Sequence, residues 1–131
     1  MDEVRSHLEA GYPNEACGAL VGSVQEDANQ VVEFHPMRNM IEDRPWDRYS
    51  LDPLEQLRVQ KSAEARGLEI IGFAHSHPDH PARPSQFDAE HGWPFYSYVV
   101  ASIRNRGLTE VTSWRLDEPE KTFREEALQI V

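Results

Sequence analysis

Apolar residues along this chain recur with two different periods, which predicts a fold of both helices and strands. Val4 and Leu8 show the four-residue spacing of a helix face, whereas residues 69–75 form an apolar run rich in β-branched residues, as in a buried strand. The pattern predicts helix 2–12, strands 19–24 and 30–37 with a polar turn at 25–29, a loop over 38–48, a short strand at 49–51, helix 53–66, strand 69–75, a short helix after Ser85, strands 98–103 and 110–116, and a strand or helix over 122–130. Because most strands are joined as hairpins with helices between them, we expect an α/β fold in which helices pack on one mixed sheet.

Length and charge narrow the classes of protein and partner. The 131 residues suffice for one hydrophobic core, so residues 1–131 are predicted to form a single domain. The formal net charge of -10, from 23 acidic against 13 basic residues, repels phosphate backbones and anionic membrane surfaces. Nucleic acid and membranes are therefore not expected as partners. Solubility in a salt-rich cytoplasm stays open as an alternative reason for the charge.

The chain carries no sequence signal for export. Cys17 is the only cysteine, which excludes an intrachain disulfide. The N-terminal residues lack the apolar core of a signal peptide, and no apolar run approaches the roughly 18 residues that span a bilayer. We therefore expect a cytoplasmic protein, either a monomer or a homodimer.

Two histidines at the end of the central apolar run are the strongest chemical feature of the sequence. His75 and His77 are two positions apart, so on a strand both imidazoles leave the same face. The proline-rich segment 78–84 forces a turn, which can return Asp88 to the imidazoles. Two imidazoles and one carboxylate suit catalytic zinc, because the fourth tetrahedral position remains for water. Glu15, at a helix-to-strand junction, is a candidate general base.

Each of these residues also has a purely structural interpretation. A His-x-His pair is more often two unrelated histidines than a metal site. Ser85 and Asp88 are equally typical of a capping pair at the beginning of a helix, and Glu15 taken singly is typical of a solvated junction. The two interpretations of 85–88 are compatible, since in a helix that begins there Asp88 lies one turn from the beginning, where its carboxylate could reach the zinc.

The joint pattern resembles the signature of the JAMM (MPN+) metalloprotease family. That signature is an upstream glutamate, a His-Ser-His-Pro segment and a Ser-x-x-Asp segment, which stand here as Glu15, 75–78 and 85–88. Flanking segments similar to the family are 13–18, 82–85 and 93–100. The resemblance covers about residues 4–116 and implies a three-layer α/β/α domain with a mixed, mostly antiparallel sheet, similar to the cytidine-deaminase fold.

The resemblance also implies a role for each residue of the motif. His75, His77 and Asp88 would hold one Zn²⁺ per chain. Glu15 would activate the water, and Ser85 would donate a hydrogen bond to the oxyanion of the tetrahedral intermediate. The implied enzyme is a zinc metalloprotease that hydrolyses peptide or isopeptide bonds.

Short bacterial members of the family resemble peptidases that act on ubiquitin-like sulfur-carrier proteins. The implied partner is therefore a carrier with a C-terminal Gly-Gly, cut after that Gly-Gly with cysteine as one leaving group. An extended carrier tail would need a groove beside the zinc, predicted between the edge of strand 69–75 and the loop 38–50. Two rivals remain: a non-catalytic MPN-type module that binds ubiquitin-like proteins, and a deaminase, whose chemistry needs more cysteine ligands than one.

Overall fold

The computed structural model of this chain describes residues 1–26 and 28–130. In that part of the chain it contains three helices and six strands, and no helix there combines the length and apolar character that crossing a membrane requires. Asp27, in the predicted turn 25–29, and Val131, at the end of the predicted domain, lie outside the described residues. In chain order the elements are α1 (Asp2–Ala10), β1 (Cys17–Val24), β2 (Asn29–Met37), α2 (Pro53–Glu64), β3 (Glu69–Pro78), α3 (Gln86–His91), β4 (Ser97–Arg104), β5 (Gly107–Asp117) and β6 (Thr122–Glu126).

The six strands form one mixed sheet, as the sequence predicts. Their order is β2-β1-β3-β4-β5-β6, and every neighbouring pair is antiparallel except β3 with β4. The parallel pair needs a crossover connection, which the segment containing α3 supplies. Strand β3 is therefore central and paired on both sides, and its side chains stand in the middle of the sheet.

Helices cover both faces of the sheet, which gives the predicted three-layer arrangement. Val4 and Leu8 of α1 pack in one buried cluster with Leu20 of β1 and Ile71 of β3. On the other face, Ala63 of α2 is fully buried in a second cluster, whose other buried members are Ala19, Val21, Met37, Ile70, Phe73 and Tyr98. The apolar residues of the strands thus build two cores, one under α1 and one under α2.

The predicted short strand at 49–51 is wrong. These residues belong to the loop that follows β2, and the backbone N–H of Met40 donates to the carbonyl oxygen of Ser50 at 2.9 Å. The loop therefore closes on itself rather than on the sheet, which leaves the side chain of Tyr49 available for another contact.

The two long predicted central elements are present with shifted ends. Helix α2 begins as predicted, because the Asp52 carboxylate accepts a hydrogen bond from the Leu54 N–H at 2.9 Å, with Pro53 as the first helical residue. It ends at Glu64 rather than 66, and Gly67 follows in a turn at a φ of 76°. Strand β3 continues past the predicted residue 75 to Pro78, because β4 pairs with it over that stretch.

The pairing of β1 with β3 carries the beginning of β1 alongside the two histidines. Cys17 lies opposite His75 in this antiparallel pair. The ladder continues one step further, since the Ser76 N–H donates to the Ala16 carbonyl at 3.0 Å and the Ala16 N–H donates to the Ser76 hydroxyl at 2.9 Å. Ser76 is fully buried on the face opposite His75 and His77, where alternation along the strand places it.

The approach of β3 to β4 leaves no space for a side chain at Gly72. A Cβ atom there would lie 2.2 Å from the carbonyl oxygen of Ser97, which is backbone and cannot turn away. We expect Gly72→Ala to lower the free energy of unfolding by about 1–3 kcal/mol through overpacking. Gly107→Ala is the matched control, because its nearest atom, the Arg104 carbonyl oxygen, is 3.8 Å away, and its effect should stay within about 0.5 kcal/mol. Urea unfolding of both variants checks this, and equal midpoints would contradict it.

Candidate metal centre

His75, His77 and Asp88 converge on one point on the face of the sheet that α2 covers. The two Nε2 atoms are 3.1 Å apart, and Oδ2 of Asp88 lies 3.2 Å from each of them. All three side chains are buried. The structure thus brings together the three residues that the sequence predicts as metal ligands.

Helix α3 delivers Asp88 to this point through a capping box. The Ser85 hydroxyl accepts a hydrogen bond from the Asp88 N–H at 3.1 Å, and the Asp88 carboxylate accepts one from the Ser85 N–H at 2.8 Å. The oxygen that accepts from Ser85 is the same Oδ2 that faces the imidazoles. The capping interpretation of 85–88 and the position beside the histidines therefore hold together.

Glu15 comes to the same place from the junction between α1 and β1. Its carboxylate and the ring nitrogens of His75 and His77 supply ligand-type atoms that all lie within 4.8 Å of one another. The loop after β2 holds its backbone, because the Glu15 N–H donates to the Pro45 carbonyl at 2.6 Å and the Asn39 side-chain amide donates to the Glu15 carbonyl at 3.1 Å. The carboxylate is buried, and its Oε1 has no hydrogen-bond partner.

The hydrogen bond from His77 to the Pro81 carbonyl determines which of the two ring nitrogens carries a proton. Its Nδ1 lies 3.0 Å from the carbonyl oxygen of Pro81. A carbonyl oxygen only accepts, so Nδ1 carries a proton, and in the uncharged form of the ring Nε2 turns a lone pair towards Oδ2 of Asp88. Two acceptors at 3.2 Å repel each other unless a positive charge lies between them. The donor set of this centre therefore fits a cation.

The two carboxylates of the centre have opposite protonation preferences. Burial, with smaller contributions from the charges of Asp88 and Asp47, raises the pKa of Glu15 to about 9. Burial also acts to raise the pKa of Asp88, but the charge and hydrogen bond that His75 supplies when it is protonated, with hydrogen bonds from His77 and Ser85, outweigh it and hold that pKa well below its usual range. In the metal-free chain these opposite shifts favour an ionised Asp88 and a protonated Glu15 at neutral pH.

Burial also decides the charge of His75. It lowers the pKa of this imidazole, against the opposing effect of the Asp88 carboxylate. A neutral imidazole is the form that binds a metal ion. Burial disfavours protonation of His75, so a proton on this ring is a poor way to relieve the repulsion between the lone pairs at the centre. A divalent cation relieves that repulsion and leaves the imidazole neutral.

Tyr49 is part of the centre although the sequence pattern assigns it to a strand. Its ring stacks on the His75 ring with centroids 4.4 Å apart and an interplanar angle of 25°. Burial next to Asp88 raises the pKa of its phenol well above the usual value. The sequence gives no signal for this contact, because only the path of the loop after β2 brings Tyr49 to His75.

The predicted groove along the edge of strand 69–75 is not open next to the histidines, because β3 is paired with both β1 and β4 over residues 72–75. The loop 38–50 does lie at the site, through Tyr49 and the backbone of Glu15. The space beside the centre is instead a cavity of about 220 Å³. Residues that line it include Tyr49, Leu51, Phe73, Phe87, Asp88, Trp93 and Tyr98.

Comparison with known proteins identifies the family. The model of prokaryotic homologs of the JAB domain matches residues 1–117. A desampylase from Haloferax volcanii is 35% identical over 122 residues, which are 89% of this chain and 84% of that protein. A CysO-cysteine peptidase from Mycobacterium bovis is 32% identical over 112 residues, 85% of this chain and 74% of that protein.

The same comparison extends to solved structures. The crystal structure of a JAB1/MPN domain protein from Archaeoglobus fulgidus superposes with a TM-score of 0.61, covering 99% of this chain and 92% of that one. At 16% identity this likeness shows the fold alone. The predictions of the mixed α/β fold and of a hydrolase of peptide or isopeptide bonds are confirmed. The chain belongs to the family of prokaryotic homologs of the JAB domain.

Proposed function

We propose that this chain is a zinc-dependent metallopeptidase that cuts the bond after the C-terminal Gly-Gly of a ubiquitin-like carrier protein. The observation that carries the proposal is the meeting of two imidazole nitrogens and the Asp88 carboxylate at one buried point, with Glu15 beside them. A non-catalytic binding module has no use for a buried carboxylate oxygen without a hydrogen-bond partner, such as Oε1 of Glu15.

His75, His77 and Asp88 would hold the zinc ion, and Glu15 would remain outside its ligand set. The preferences of the two carboxylates support this division, since Asp88 is the anion and Glu15 the group that retains a proton. Bound zinc polarises a carbonyl oxygen and lowers the pKa of a coordinated water to about 7.

Glu15 is proposed to move the proton during hydrolysis. Its unpartnered Oε1 is free to accept the proton of the attacking water and to pass it to the leaving amine, as general base and then general acid. The nearby charge of a divalent cation favours the ionised form of a carboxylate, which prepares Glu15 for the first of these steps.

Ser85 is proposed to stabilise the oxyanion of the tetrahedral intermediate. Its hydroxyl oxygen accepts from the Asp88 N–H, which leaves the hydroxyl proton to be donated elsewhere. Loss of one such donor typically costs about 10²- to 10³-fold in rate.

The relatives and the surface beside the cavity support the proposed substrate class. Two extended glycines span only about 7 Å, so the carrier residues that precede them must lie close to the centre. An exposed apolar surface lies next to the cavity, and Gln56 and Trp93 line both. Its exposed apolar residues include Leu57, Trp93 and Phe95. A desampylase and a CysO-cysteine peptidase among the relatives support a ubiquitin-like conjugate as substrate.

Glu15→Gln should slow turnover strongly without loss of zinc. The amide cannot accept the water proton, so we expect the rate constant for cleavage to fall by about 10² to 10⁴. Asp88→Ala removes a ligand, and we expect it to lose both zinc and activity. Zinc content by atomic emission and cleavage rates measured on the same samples separate the two cases. A Glu15→Gln rate within about 10-fold of the parent would rule out the general base.

The raised pKa of Glu15 should make the metal-free protein less stable as pH rises. Between the ordinary pKa of 4.5 and about 9 the folded chain holds a proton that the unfolded chain has lost. The free energy of unfolding should therefore decline across that range, by at most about 1.4 kcal/mol per pH unit from this group. Glu15→Gln should remove the decline. Urea unfolding of chelator-treated protein at several pH values measures it, with Glu120→Gln, on the surface, as control. Parallel curves for Glu15→Gln and the parent would contradict the assignment.

The zinc-loaded protein should cut a carrier fused after its Gly-Gly to cysteine, and a carrier joined there to a lysine side chain. Mass spectrometry should find the carrier ending in Gly-Gly. The same carrier ending in Ala-Ala should be cut much more slowly, because glycine lets the backbone approach the centre closely and a Cβ on each residue hinders that approach. Cleavage of unrelated peptides with none of the carrier adducts would reject the proposed substrate and leave the hydrolase intact.

A further inference from the structure

We infer that Thr112 and Glu110 of β5 are positioning residues for His77, which they orient through the backbone of segment 79–84. Neither residue belongs to the family motif, and neither contacts the centre. The inference rests on the proposed metal site, but its first consequence, the tautomer of His77, is a property of the metal-free chain.

The partner of His77 lies in a segment without regular secondary structure. The Pro81 carbonyl that accepts from Nδ1 of His77 belongs to the turn between β3 and α3. An acceptor in such a turn fixes a ring only if the turn itself is held, since movement of the carbonyl releases the Nδ1 proton. The residues on both sides of Pro81 therefore decide how well His77 is oriented.

Side chains from β4 and β5 hold those neighbouring residues. The Ala82 N–H donates to Oε1 of Glu110 at 3.2 Å, and the Ala82 carbonyl accepts from the Thr112 hydroxyl at 2.5 Å. On the other side of Pro81, the His80 carbonyl accepts from the Ser102 hydroxyl at 2.6 Å. Ala82 is fully buried, so its backbone groups depend on these partners rather than on water.

The position of these side chains follows from the strand register. Ser102 of β4 pairs with His77 of β3 on one side and with Glu110 of β5 on the other. Paired residues share a face of a sheet, so Glu110 and Thr112, two positions apart, stand on the face that carries the histidines. The turn after β3 folds back over that face and meets them.

The hydroxyl of Thr112 has a fixed direction. Nε1 of Trp114 donates to it at 2.7 Å, which occupies a lone pair and leaves the hydroxyl proton for the Ala82 carbonyl. The chain of donors therefore runs in one sense, from Trp114 through Thr112 to Ala82. Valine in place of Thr112 keeps the shape of the side chain and removes the donor.

The experiment compares Thr112→Val and Glu110→Ala with two kinds of control. The first kind keeps the hydrogen bond to Ala82, and the second removes a different hydrogen bond made by β5. Thr112→Ser keeps the hydroxyl, and Glu110→Gln keeps an acceptor oxygen. Thr109→Val removes a hydroxyl of the same strand that donates to the Ser102 carbonyl and not to the turn. Because Glu110 is exposed, its variants should fold even where Thr112→Val does not. Two quantities are measured: zinc affinity by competition with a chelator, and the ¹⁵N shifts of the His77 ring in metal-free protein.

We expect Thr112→Val and Glu110→Ala to bind zinc about 10-fold more weakly, because loss of a residue that orients a metal ligand typically lowers metal affinity by at least that factor. Both variants should also show a mixture of His77 tautomers. Thr112→Ser, Glu110→Gln and Thr109→Val should match the parent in both. A single Nδ1–H tautomer in every folded variant, with zinc affinity within twofold of the parent, would overturn the inference, as would an equal loss in Thr109→Val. If the parent itself failed to bind zinc, the proposed function would fall, and the tautomers alone would decide this inference.

Discussion

The register of β1 against β3 is the constraint on which the whole centre depends. With Cys17 opposite His75, the residue two positions before Cys17 comes to the level of His77, on the same face. A slip by one residue would turn Glu15 to the other face of the sheet. Ser76 opposes such a slip, because its N–H donates to the Ala16 carbonyl and its buried hydroxyl accepts from the Ala16 N–H. The middle residue of the His-Ser-His motif thus serves the alignment of the other two.

The two carboxylates of the centre, Asp88 and Glu15, differ in protonation state because their surroundings differ. Asp88 stands at the beginning of α3, where the Ser85 N–H and the imidazoles keep it ionised. Glu15 stands in a buried junction where no donor meets its Oε1, and it keeps a proton. An ionised carboxylate suits binding of a cation, and a carboxylate that readily holds a proton suits proton transfer. The division of roles therefore follows from the surroundings of each residue.

The sequence predicts those parts of the site that depend on residues close together in the chain. Alternation along β3 puts both histidines on one face, and Ser85 with Asp88 reads as a helix beginning, because both depend on neighbours in the chain. Tyr49 and the Pro81 carbonyl could not be foreseen, since they meet the histidines only through the path of two loops. The predicted edge groove was wrong for the same reason. Which strands pair with β3 depends on the whole sheet and cannot be inferred from one segment of the sequence.

The X-ray absorption spectrum of the zinc-loaded protein at the zinc edge tests the central claim most directly. The account predicts two imidazole nitrogens, from His75 and His77, with oxygen ligands at about 2.0–2.2 Å and no sulfur. Cys17 is fully buried opposite His75 and is the nearest rival ligand that the chain offers in β1. A sulfur shell at about 2.3 Å, or fewer than two imidazoles, would contradict the account.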